Sequence, residues 1–268
     1  MRELIRTNDP TMIAFATALL RGEDIDFFEM DVHLSVLEGS IGILPSRIMV
    51  RDEDLYRAAA VFELGCGVGA ASLCLMARVP DLAVSAVELQ PAYAALAQDN
   101  AARNRIPFEV VTGDIRDLPI PLRDRTFDHV ITNPPYYLRD GGSPAKDAGR
   151  ERSLGEEVPL SHWVDTGLRR LRPGGTLTVI QRADRLGDLL GAIGQRAGRV
   201  TLYPLAPRAG RDATRVILTA QKGGKTPLRL CEPTVLHQGA AHDGDRDSYT
   251  AAAAAVLRDG APWPWCAS

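Results

Sequence analysis

The residues best suited to chemistry stand in the segment TFDHVITNPPYY, residues 126–137. Pro134 and Pro135 have a fixed φ and no N–H, so the chain turns stiffly here and leaves carbonyl oxygens without local donors. The side-chain oxygen of Asn133 and the carbonyl oxygen of Pro134 can then accept together from one incoming NH2 group. Tyr136 adds a flat ring on which a planar substrate can stack. We therefore expect chemistry at a conjugated amine, whose lone pair is freed when two acceptors favour a pyramidal nitrogen.

A buried strand is predicted to position this segment. Residues Phe127 to Thr132 mix aromatic, β-branched and apolar side chains in a short run that the two prolines must end. Asn133 then lies at the carboxyl end of a strand, where open α/β sheets bind ligands. The four residues Asn-Pro-Pro-Tyr resemble the signature of amino-methyltransferases that use S-adenosylmethionine (SAM). The alternative is a strand that ends in prolines and carries no chemistry.

A glycine-rich turn is the second candidate site. The segment VFELGCGVG, residues 61–69, runs from a short apolar strand into a helix. Its glycines are Gly65, Gly67 and Gly69. Such a turn lets the backbone pass close to a ligand, and Glu63 supplies an acceptor at the end of the strand. A further strand, residues 82–87, leads to Glu88, and an acidic residue at that spacing holds a ribose diol in nucleotide-binding folds.

The residues after the third strand separate two enzyme classes that share this layout. Nicotinamide dehydrogenases also combine a glycine turn with a later acidic residue, but they do not require the Asn-Pro-Pro-Tyr strand. In the SAM methyltransferases that the motifs resemble, the acid after the third strand, here Asp114, accepts from the adenine amine of the cofactor, with Ile115 against the ring. The resemblance assigns cofactor binding to Glu63, Gly65, Gly67, Gly69, Glu88, Leu89, Asp114, Ile115 and Asn133. It assigns the transfer step to Asn133, Pro134, Pro135 and Tyr136.

Composition and charge limit the function classes. The chain has 268 residues, with 45% hydrophobic and 24% charged residues, as is usual for a globular protein. Its net charge of −3 gives RNA binding only weak support, because dedicated nucleic-acid binders are usually more basic. The four cysteines show no C-x-x-C spacing and no secretion signal accompanies them, so we expect reduced thiols in a cytoplasmic protein. We expect no metal site, because no zinc-binding spacing is present, and no membrane span, because no apolar run approaches the required length.

Residues 1–60 differ from the rest of the chain. They hold 6 Lys and Arg against 11 Asp and Glu, whereas the remainder is close to balance. Their predicted β-α-β-β-α order, with helices over 10–21 and 52–60, suits a small α+β, ferredoxin-like half-domain. The stretch from His33 to Ala58 resembles a small bacterial family described as signal-transducing proteins, whose activity is not established. The predicted domains are therefore 1–60 and 61–268.

The second half of the chain completes an α/β pattern. A helix from Ser161 to Leu171, an Arg-Pro-Gly-Gly turn and a strand from Thr176 to Gln181 follow one another in an order typical of class I methyltransferases. Strands are also predicted at Val200–Leu205 and Val216–Gln221, as an antiparallel pair. The expected fold is a class I methyltransferase, Rossmann-like doubly wound sheet with one antiparallel strand.

From Val61 onwards, the chain resembles the bacterial tRNA adenine-N6 methyltransferase family that acts on a valine tRNA. The resemblance rests on ELGCGVGAASL (63–73), VELQPAYAALAQDNAARN (87–104), NPPYY (133–137) and the helix–LRPGG–strand unit. It implies SAM as the cofactor and the N6 amine of an adenine in RNA, most simply tRNA, as the acceptor. Two alternatives stay open: a glutamine N5 methyltransferase of proteins, and a catalytically weak regulatory fusion protein.

Basic residues offer candidate contacts to RNA phosphates. Arg139, Lys146, Arg150 and Arg152 lie in a long loop after Tyr137, although five carboxylates dilute them. Arg208, Arg211 and Arg215 are expected to extend a basic rim.

Overall fold

A computed structural model of the chain describes eight stretches of residues. These are 2–7, 27–30, 46–50, 60–79, 82–138, 155–156, 158–239 and 248–261. The predicted basic loop from Arg139 to Arg152 and the predicted helix over 10–21 lie outside the described residues. So does the predicted helix over 52–60, except for Ala60, which begins a strand and does not end a helix.

The first compact unit comprises Met1–Ala60 with Val79–Ala83. Its described part is a three-stranded antiparallel sheet of β1 (Arg2–Thr7), β2 (Phe27–Met30) and β3 (Ser46–Val50). β3 lies between the other two strands, and a register shift interrupts its pairing with β1 between Glu3 and Ile5. The three strands predicted for the half-domain are therefore present.

The second unit comprises Val61–Arg78 with Val84–Ser268. In the described residues, this unit holds the larger sheet and a separate two-stranded sheet of residues 137–138 and 155–156. Its strands are β4 (Ala60–Leu64), β5 (Ala83–Glu88), β6 (Glu109–Thr112), β7 (Phe127–Thr132), β8 (Tyr137–Leu138), β9 (Gly155–Glu156), β10 (Leu171–Arg182), β11 (Ala197–Arg208), β12 (Arg215–Lys222), β13 (Arg229–Leu230) and β14 (Thr234–His237). Its helices are α1 (Ala70–Arg78), α2 (Pro91–Asn104), α3 (Ile120–Arg123), α4 (Leu160–Arg170), α5 (Leu186–Ile193) and α6 (Ala251–Asp259).

The larger sheet has the expected doubly wound order. Its strands follow β13-β11-β12-β10-β7-β4-β5-β6, with β14 also paired to β11. β7 runs parallel to both β4 and β10, whereas β12 runs antiparallel to both β10 and β11. The prediction of a Rossmann-like sheet with one antiparallel strand is confirmed.

Close packing fixes the centre of this sheet. The rings of Phe62 and Phe127 stack with centroids 4.8 Å apart, which joins β4 to β7. On helix α4, a Cβ at Gly167 would stand 2.9 Å from Leu177 Cδ1, so the absence of a side chain lets the helix approach β10 closely. α4 is thereby held against the strand that follows it.

The expectation that all four cysteines are reduced needs correction. Cys66 and Cys74 are free thiols, but Cys231 is disulfide-bonded, so the expectation of four reduced cysteines is wrong for this residue. Spacing along the chain misleads here because a disulfide depends on distance in space.

Across the described stretches, no helix is long and apolar enough to cross a membrane.

Candidate active site

A cavity of about 400 Å³ opens at the carboxyl ends of four neighbouring strands. Residues at or just after the ends of β4, β5, β6 and β7 line this cavity. The sheet therefore brings together segments that are far apart in sequence. Its volume lies within the range of small-molecule and cofactor pockets. This edge of the sheet is where the sequence places ligand binding.

Nine of the predicted site residues line the cavity. They are Glu63, Gly65, Gly67, Glu88, Leu89, Asp114, Ile115, Asn133 and Pro135. Three others, Gly69, Pro134 and Tyr136, are not part of its lining. Gly69 has a packing role instead, because a Cβ there would stand 3.1 Å from the ring of Phe108 and 3.2 Å from Ala97 Cβ.

The carboxylate of Glu88 organises the glycine turn. Its Oε2 accepts a hydrogen bond from Gly67 N at 2.8 Å, and its Oε1 accepts from Gln90 N at 2.9 Å. Gly65 N also donates to the carbonyl oxygen of Val87 at 2.9 Å, so the turn is fastened to the end of β5. Each carboxylate oxygen has a second lone pair, which leaves Glu88 able to accept from a ligand hydroxyl as well.

The ring of Trp163, on α4, lies directly against Gly65 and lines the cavity. A Cβ at Gly65 would lie 2.7 Å from the outer carbons of the Trp163 ring, and Gly65 has a φ of +68°. Both conditions favour glycine at this position. The indole N–H of Trp163 is buried and has no hydrogen-bond partner in the described part of the chain.

Glu63 is an unusual acid for the inside of a protein. Only 4% of its surface is exposed, and the Ser72 hydroxyl donates to its Oε2. Burial disfavours the charged carboxylate and raises the pKa of Glu63 to about 7, with a smaller contribution from the negative charge of Glu88. Burial of the Cys66 thiol, with smaller contributions from the negative charges of Glu63 and Glu88, raises the pKa of Cys66 to about 12. The cavity floor therefore carries a carboxyl group that ionises near neutral pH.

Asp114 is held in place by the residue two positions on. Its carboxylate accepts from the backbone N of Arg116 at 2.8 Å and from the Arg116 guanidinium, and these bonds keep the pKa of Asp114 below its usual value. The adjacent carbonyl oxygen of Ile115 accepts from the Thr166 hydroxyl at 3.0 Å, which ties the loop after β6 to α4. Asp114 is thus ionised and oriented within the cavity.

Asn133 is positioned by the strand that precedes it. The buried Thr132 hydroxyl donates to the carbonyl oxygen of Leu64 at 3.0 Å, and this bond aligns the end of β7 with the end of β4. Asn133 itself is exposed, whereas Pro134 is buried. The motif is therefore anchored beneath while the amide at its start stays accessible.

Two side chains from the β10–β12 pair hold the rest of the motif. The Nε2 of the fully buried Gln181 donates to the carbonyl oxygen of Pro135 at 3.2 Å. The Arg215 guanidinium lies over the ring of Tyr136, 5.6 Å from its centroid. Side chains of β10 and β12 therefore hold Pro135 and Tyr136 in position.

Sequence reasoning missed several lining residues. They are Cys66, Val68, Ala70, Ala71, Gln90, Val158 and Trp163. The first five stand within or beside motifs that the sequence identified, so their neighbours gave a usable signal. Val158 and Trp163 gave none, because about 90 residues separate them from the glycine turn, and only the packing of α4 and of the residues just before it brings them there.

Comparison with known families agrees with this arrangement. A model described as "Methyltransferase small domain" matches residues 45–188, more than half of the chain. The chain belongs to the methyltransferase small domain family. Residues 1–63 match a second family, described as "Putative prokaryotic signal transducing protein". Both expected resemblances are confirmed.

Individual relatives carry methyltransferase names. The tRNA1(Val) (adenine(37)-N6)-methyltransferase of Porphyromonas gingivalis W83 is 31% identical over 47% of this chain and 51% of its own length. The enzyme of the same name from Haemophilus influenzae Rd is 29% identical over 77% of this chain and 84% of its own length. The chain thus spans about half the length of the first of these relatives.

A solved structure resembles the methyltransferase fold of this chain. It is that of a "predicted O-methyltransferase", protein Atu636 from Agrobacterium tumefaciens, with 27% identity and a TM-score of 0.59. The similarity covers 76% of this chain and 90% of that protein. A methyltransferase family member is expected to hold SAM, and the geometry of the cavity suits that cofactor. Glu88 can accept from a ribose diol, Asp114 from an amine, and Glu63 can face a cationic group.

Proposed function

We propose that this methyltransferase transfers a methyl group from SAM to the exocyclic N6 amine of an adenine in RNA, with tRNA as the substrate. The observation that carries the proposal is the accessible amide of Asn133, which opens into the same cavity as the carboxylate of Glu88. The group proposed to hold the cofactor and the group proposed to hold the amine thus line the same cavity. The matching relatives that are named for adenine N6 methylation of tRNA support the same choice of acceptor.

The cofactor supplies an electrophilic methyl group on its sulfonium. On the protein side, Glu88 would hold the ribose hydroxyls of SAM, and Asp114 would accept from its adenine amine. The carboxyl of Glu63, once ionised, would offset the positive charge of bound SAM. The ring of Trp163 packs against Gly65 and forms the α4 side of the cavity.

The substrate amine is held by acceptors on the motif. Asn133 Oδ1 and the carbonyl oxygen of Pro134 accept its two hydrogens, which favours a pyramidal nitrogen whose lone pair points at the methyl group. The transfer is direct and needs no covalent intermediate with the protein. Positioning of the amine supplies most of the rate acceleration. As the nitrogen–carbon bond forms, the bond from the methyl group to sulfur would break and leave its electron pair on sulfur, so the leaving group is the neutral thioether S-adenosylhomocysteine. The extra proton on the nitrogen would then pass to water. Tyr136, outside the cofactor cavity, stacks on the base that the RNA presents out of its helix.

Glutamine N5 methylation of a protein is the competing function. The same acceptors would hold the side-chain amide of a glutamine, which also has a conjugated NH2 group. The two functions differ in the acceptor, because an adenine would offer Tyr136 a broad ring to stack on whereas a glutamine would offer only a small planar amide. A weakly active regulatory fusion remains the reading in which the first 60 residues, as a separate domain, set the role of the protein. An enzyme of tRNA would act in the cytoplasm, where its substrate is.

The test is incubation with methyl-labelled SAM and separate pools of unmodified tRNA, ribosomal RNA and protein. Nucleoside and peptide mass analysis then locates the label. We expect N6-methyladenosine in the tRNA pool. Label in protein glutamine alone would replace this proposal with its competitor, and no label in any pool would favour the regulatory reading.

A further inference from the structure

The cavity that suits SAM has an excess of negative charge. Its lining includes three acids, Glu63, Glu88 and Asp114, and the described residues that line it include no lysine, arginine or histidine. The charge of Asp114 is balanced from outside the lining, because Arg116 Nε donates to its Oδ2 at 2.9 Å. The excess therefore lies on Glu63 and Glu88.

Neutral groups hold both of these carboxylates. The Ser72 hydroxyl of α1 donates to Glu63, and the backbone N–H groups of Gly67 and Gln90 donate to Glu88. Within the described stretches, neither acid forms a salt bridge with a cationic side chain. Such dipoles orient a carboxylate but leave its net charge in place, and that charge attracts a cation most strongly where water is excluded.

Burial makes Glu63 responsive to any charge that enters the cavity. The groups that act on it are the Ser72 hydroxyl, the acid Glu88 at the end of β5 and the thiol of Cys66, and its partner in the β4–β7 register is the apolar Ile131. Burial outweighs the hydrogen bond from Ser72 and raises the pKa of Glu63 to about 7. At neutral pH the carboxyl group therefore exists in both its protonated and its ionised form.

Methyl transfer changes the charge of the ligand in this cavity. SAM carries a sulfonium, whereas S-adenosylhomocysteine carries a neutral thioether at the same atom, and the nucleoside and amino-acid parts of the two molecules are identical. A site discriminates between two ligands by the difference of their affinities. For this pair, the charge on sulfur is the property that an acidic cavity distinguishes.

We propose that Glu63, within the unbalanced negative charge that it shares with Glu88, makes this cavity select SAM over S-adenosylhomocysteine. The positive charge of bound SAM keeps Glu63 ionised. Once the sulfur is neutral, the buried carboxylate takes up a proton from water and the attraction that held SAM is lost, so the product leaves more readily. The inference depends on SAM as the methyl donor and not on which amine accepts the methyl group.

The test measures the dissociation constants of SAM and of S-adenosylhomocysteine for the full chain, without RNA, by isothermal titration calorimetry from about pH 6 to about pH 8. Titrations at about pH 7 in two buffers of different ionisation enthalpy give the number of protons exchanged on binding.

Three variants accompany the wild-type protein. Glu63→Gln keeps the shape of the side chain and removes its charge. Ser72→Ala removes the hydroxyl that donates to Glu63. Glu109→Gln is the matched control, because Glu109 also accepts from a serine hydroxyl, that of Ser85, but does not line the cavity.

In the wild-type protein, we expect the ratio of SAM affinity to S-adenosylhomocysteine affinity to rise with pH by a factor that approaches about ten, if SAM lowers the pKa of Glu63 by about one unit. At about pH 7, SAM binding then releases about 0.4 proton more from the wild-type protein than from Glu63→Gln. This comparison cancels the protons that the amine of the ligand exchanges. Binding of S-adenosylhomocysteine shows no such excess.

The variants separate the charge of Glu63 from its packing. The affinity ratio stays flat with pH in Glu63→Gln and follows the wild-type profile in Glu109→Gln. In Ser72→Ala, the ionised form of Glu63 loses a hydrogen bond, so its pKa rises further and the increase of the ratio moves to higher pH. A purely structural role of Ser72 would change affinity without moving the profile along the pH axis.

The result can contradict this inference without touching the proposed function. If wild-type protein and Glu63→Gln show the same affinity ratio at every pH and the same proton exchange, Glu63 does not discriminate between the two ligands, while methylation of tRNA is still decided by the label. If Glu63→Gln does not fold, Ser72→Ala decides, and a profile that this variant leaves in place overturns the inference. A wild-type protein that binds S-adenosylhomocysteine as SAM at every pH overturns it as well.

Discussion

Glu88 Oε2 accepts a hydrogen bond from Gly67 N at 2.8 Å, so the acid proposed to hold the cofactor ribose also fixes the turn above it. Its other oxygen accepts from Gln90 N, which completes the connection between β5 and α2. Loss of this carboxylate therefore removes a ligand contact and loosens the glycine turn. The two effects act in the same direction on cofactor affinity.

We expect Glu88→Ala to weaken SAM binding by about tenfold or more, because charge-assisted hydrogen bonds are lost. Isothermal titration calorimetry measures the dissociation constant directly. Glu109→Ala is the matched control, since Glu109 also accepts from a neighbouring side chain but lies outside the cavity. An unchanged dissociation constant for Glu88→Ala would remove this residue from the site.

The pKa of Glu63 near 7 predicts that SAM binding depends on pH. SAM carries positive charge, which favours the ionised carboxylate, so affinity should rise as pH increases from about 6 to about 8. If the cofactor lowers the pKa of Glu63 by about one unit, the gain is about tenfold. Glu63→Gln should give a flat profile. A wild-type profile equally flat would show that Glu63 does not face the cofactor's charge.

The same residue predicts a trend in stability. Because the folded-state pKa of Glu63 is raised above its ordinary value of 4.5, its neutral form is favoured in the folded protein. The stability that this provides is present below about pH 4.5 and is lost as pH rises through about 7. Relative to Glu63→Gln, the Tm of the wild-type protein without SAM should therefore fall over this range. An opposite trend in thermal unfolding would contradict the burial of the charge.

Gln181→Met should reduce kcat by about tenfold while leaving SAM affinity unchanged, because the carbonyl oxygen of Pro135 loses its donor and the motif loosens. Methionine keeps the length of the side chain. Gln98→Met is the control, since Gln98 likewise donates to a backbone carbonyl, that of Val110, outside the cavity. Equal kinetic losses in the two variants, at temperatures where circular dichroism shows both folded, would leave Gln181 without a special role.

Tyr136→Phe should retain most activity, whereas Tyr136→Leu and Tyr136→Ala should not, since the ring stacks on the base and lies against Arg215. The KM for tRNA, measured at saturating SAM, reports the difference. Leucine is the control for apolar bulk without a ring. Were the phenylalanine variant as impaired as alanine, the hydroxyl group and not the ring would be the working part.

The glycine turn, the acidic strand ends and the proline-terminated strand could be read from sequence because each signal is local. Gly65, Glu88 and Asn133 all end or follow strands whose composition marks them. The doubly wound order followed, because strands alternating with helices build a parallel sheet. Local composition was thus sufficient for the frame and for most of the cavity floor.

The parts that depend on long-range packing could not be read. Trp163 reaches the cavity only because Gly167 lets α4 lie against β10, and Gln181 reaches Pro135 only through the β7–β10 pairing. β10 begins at Leu171, directly after α4, because the predicted Pro-Gly-Gly turn is absorbed as an irregularity in that pairing. Arg199 takes a left-handed φ that composition alone does not predict.

The most direct test of the account compares wild-type protein with Asn133→Ala, which removes one of the two proposed amine acceptors. Both are incubated with SAM and unmodified tRNA, and N6-methyladenosine is quantified by nucleoside mass analysis. The account predicts N6-methyladenosine with the wild-type protein and a loss of roughly 10²-fold or more in its rate of formation with the variant, at unchanged SAM affinity. N6-methyladenosine formed equally fast by Asn133→Ala, or none formed by the wild-type protein, would contradict it.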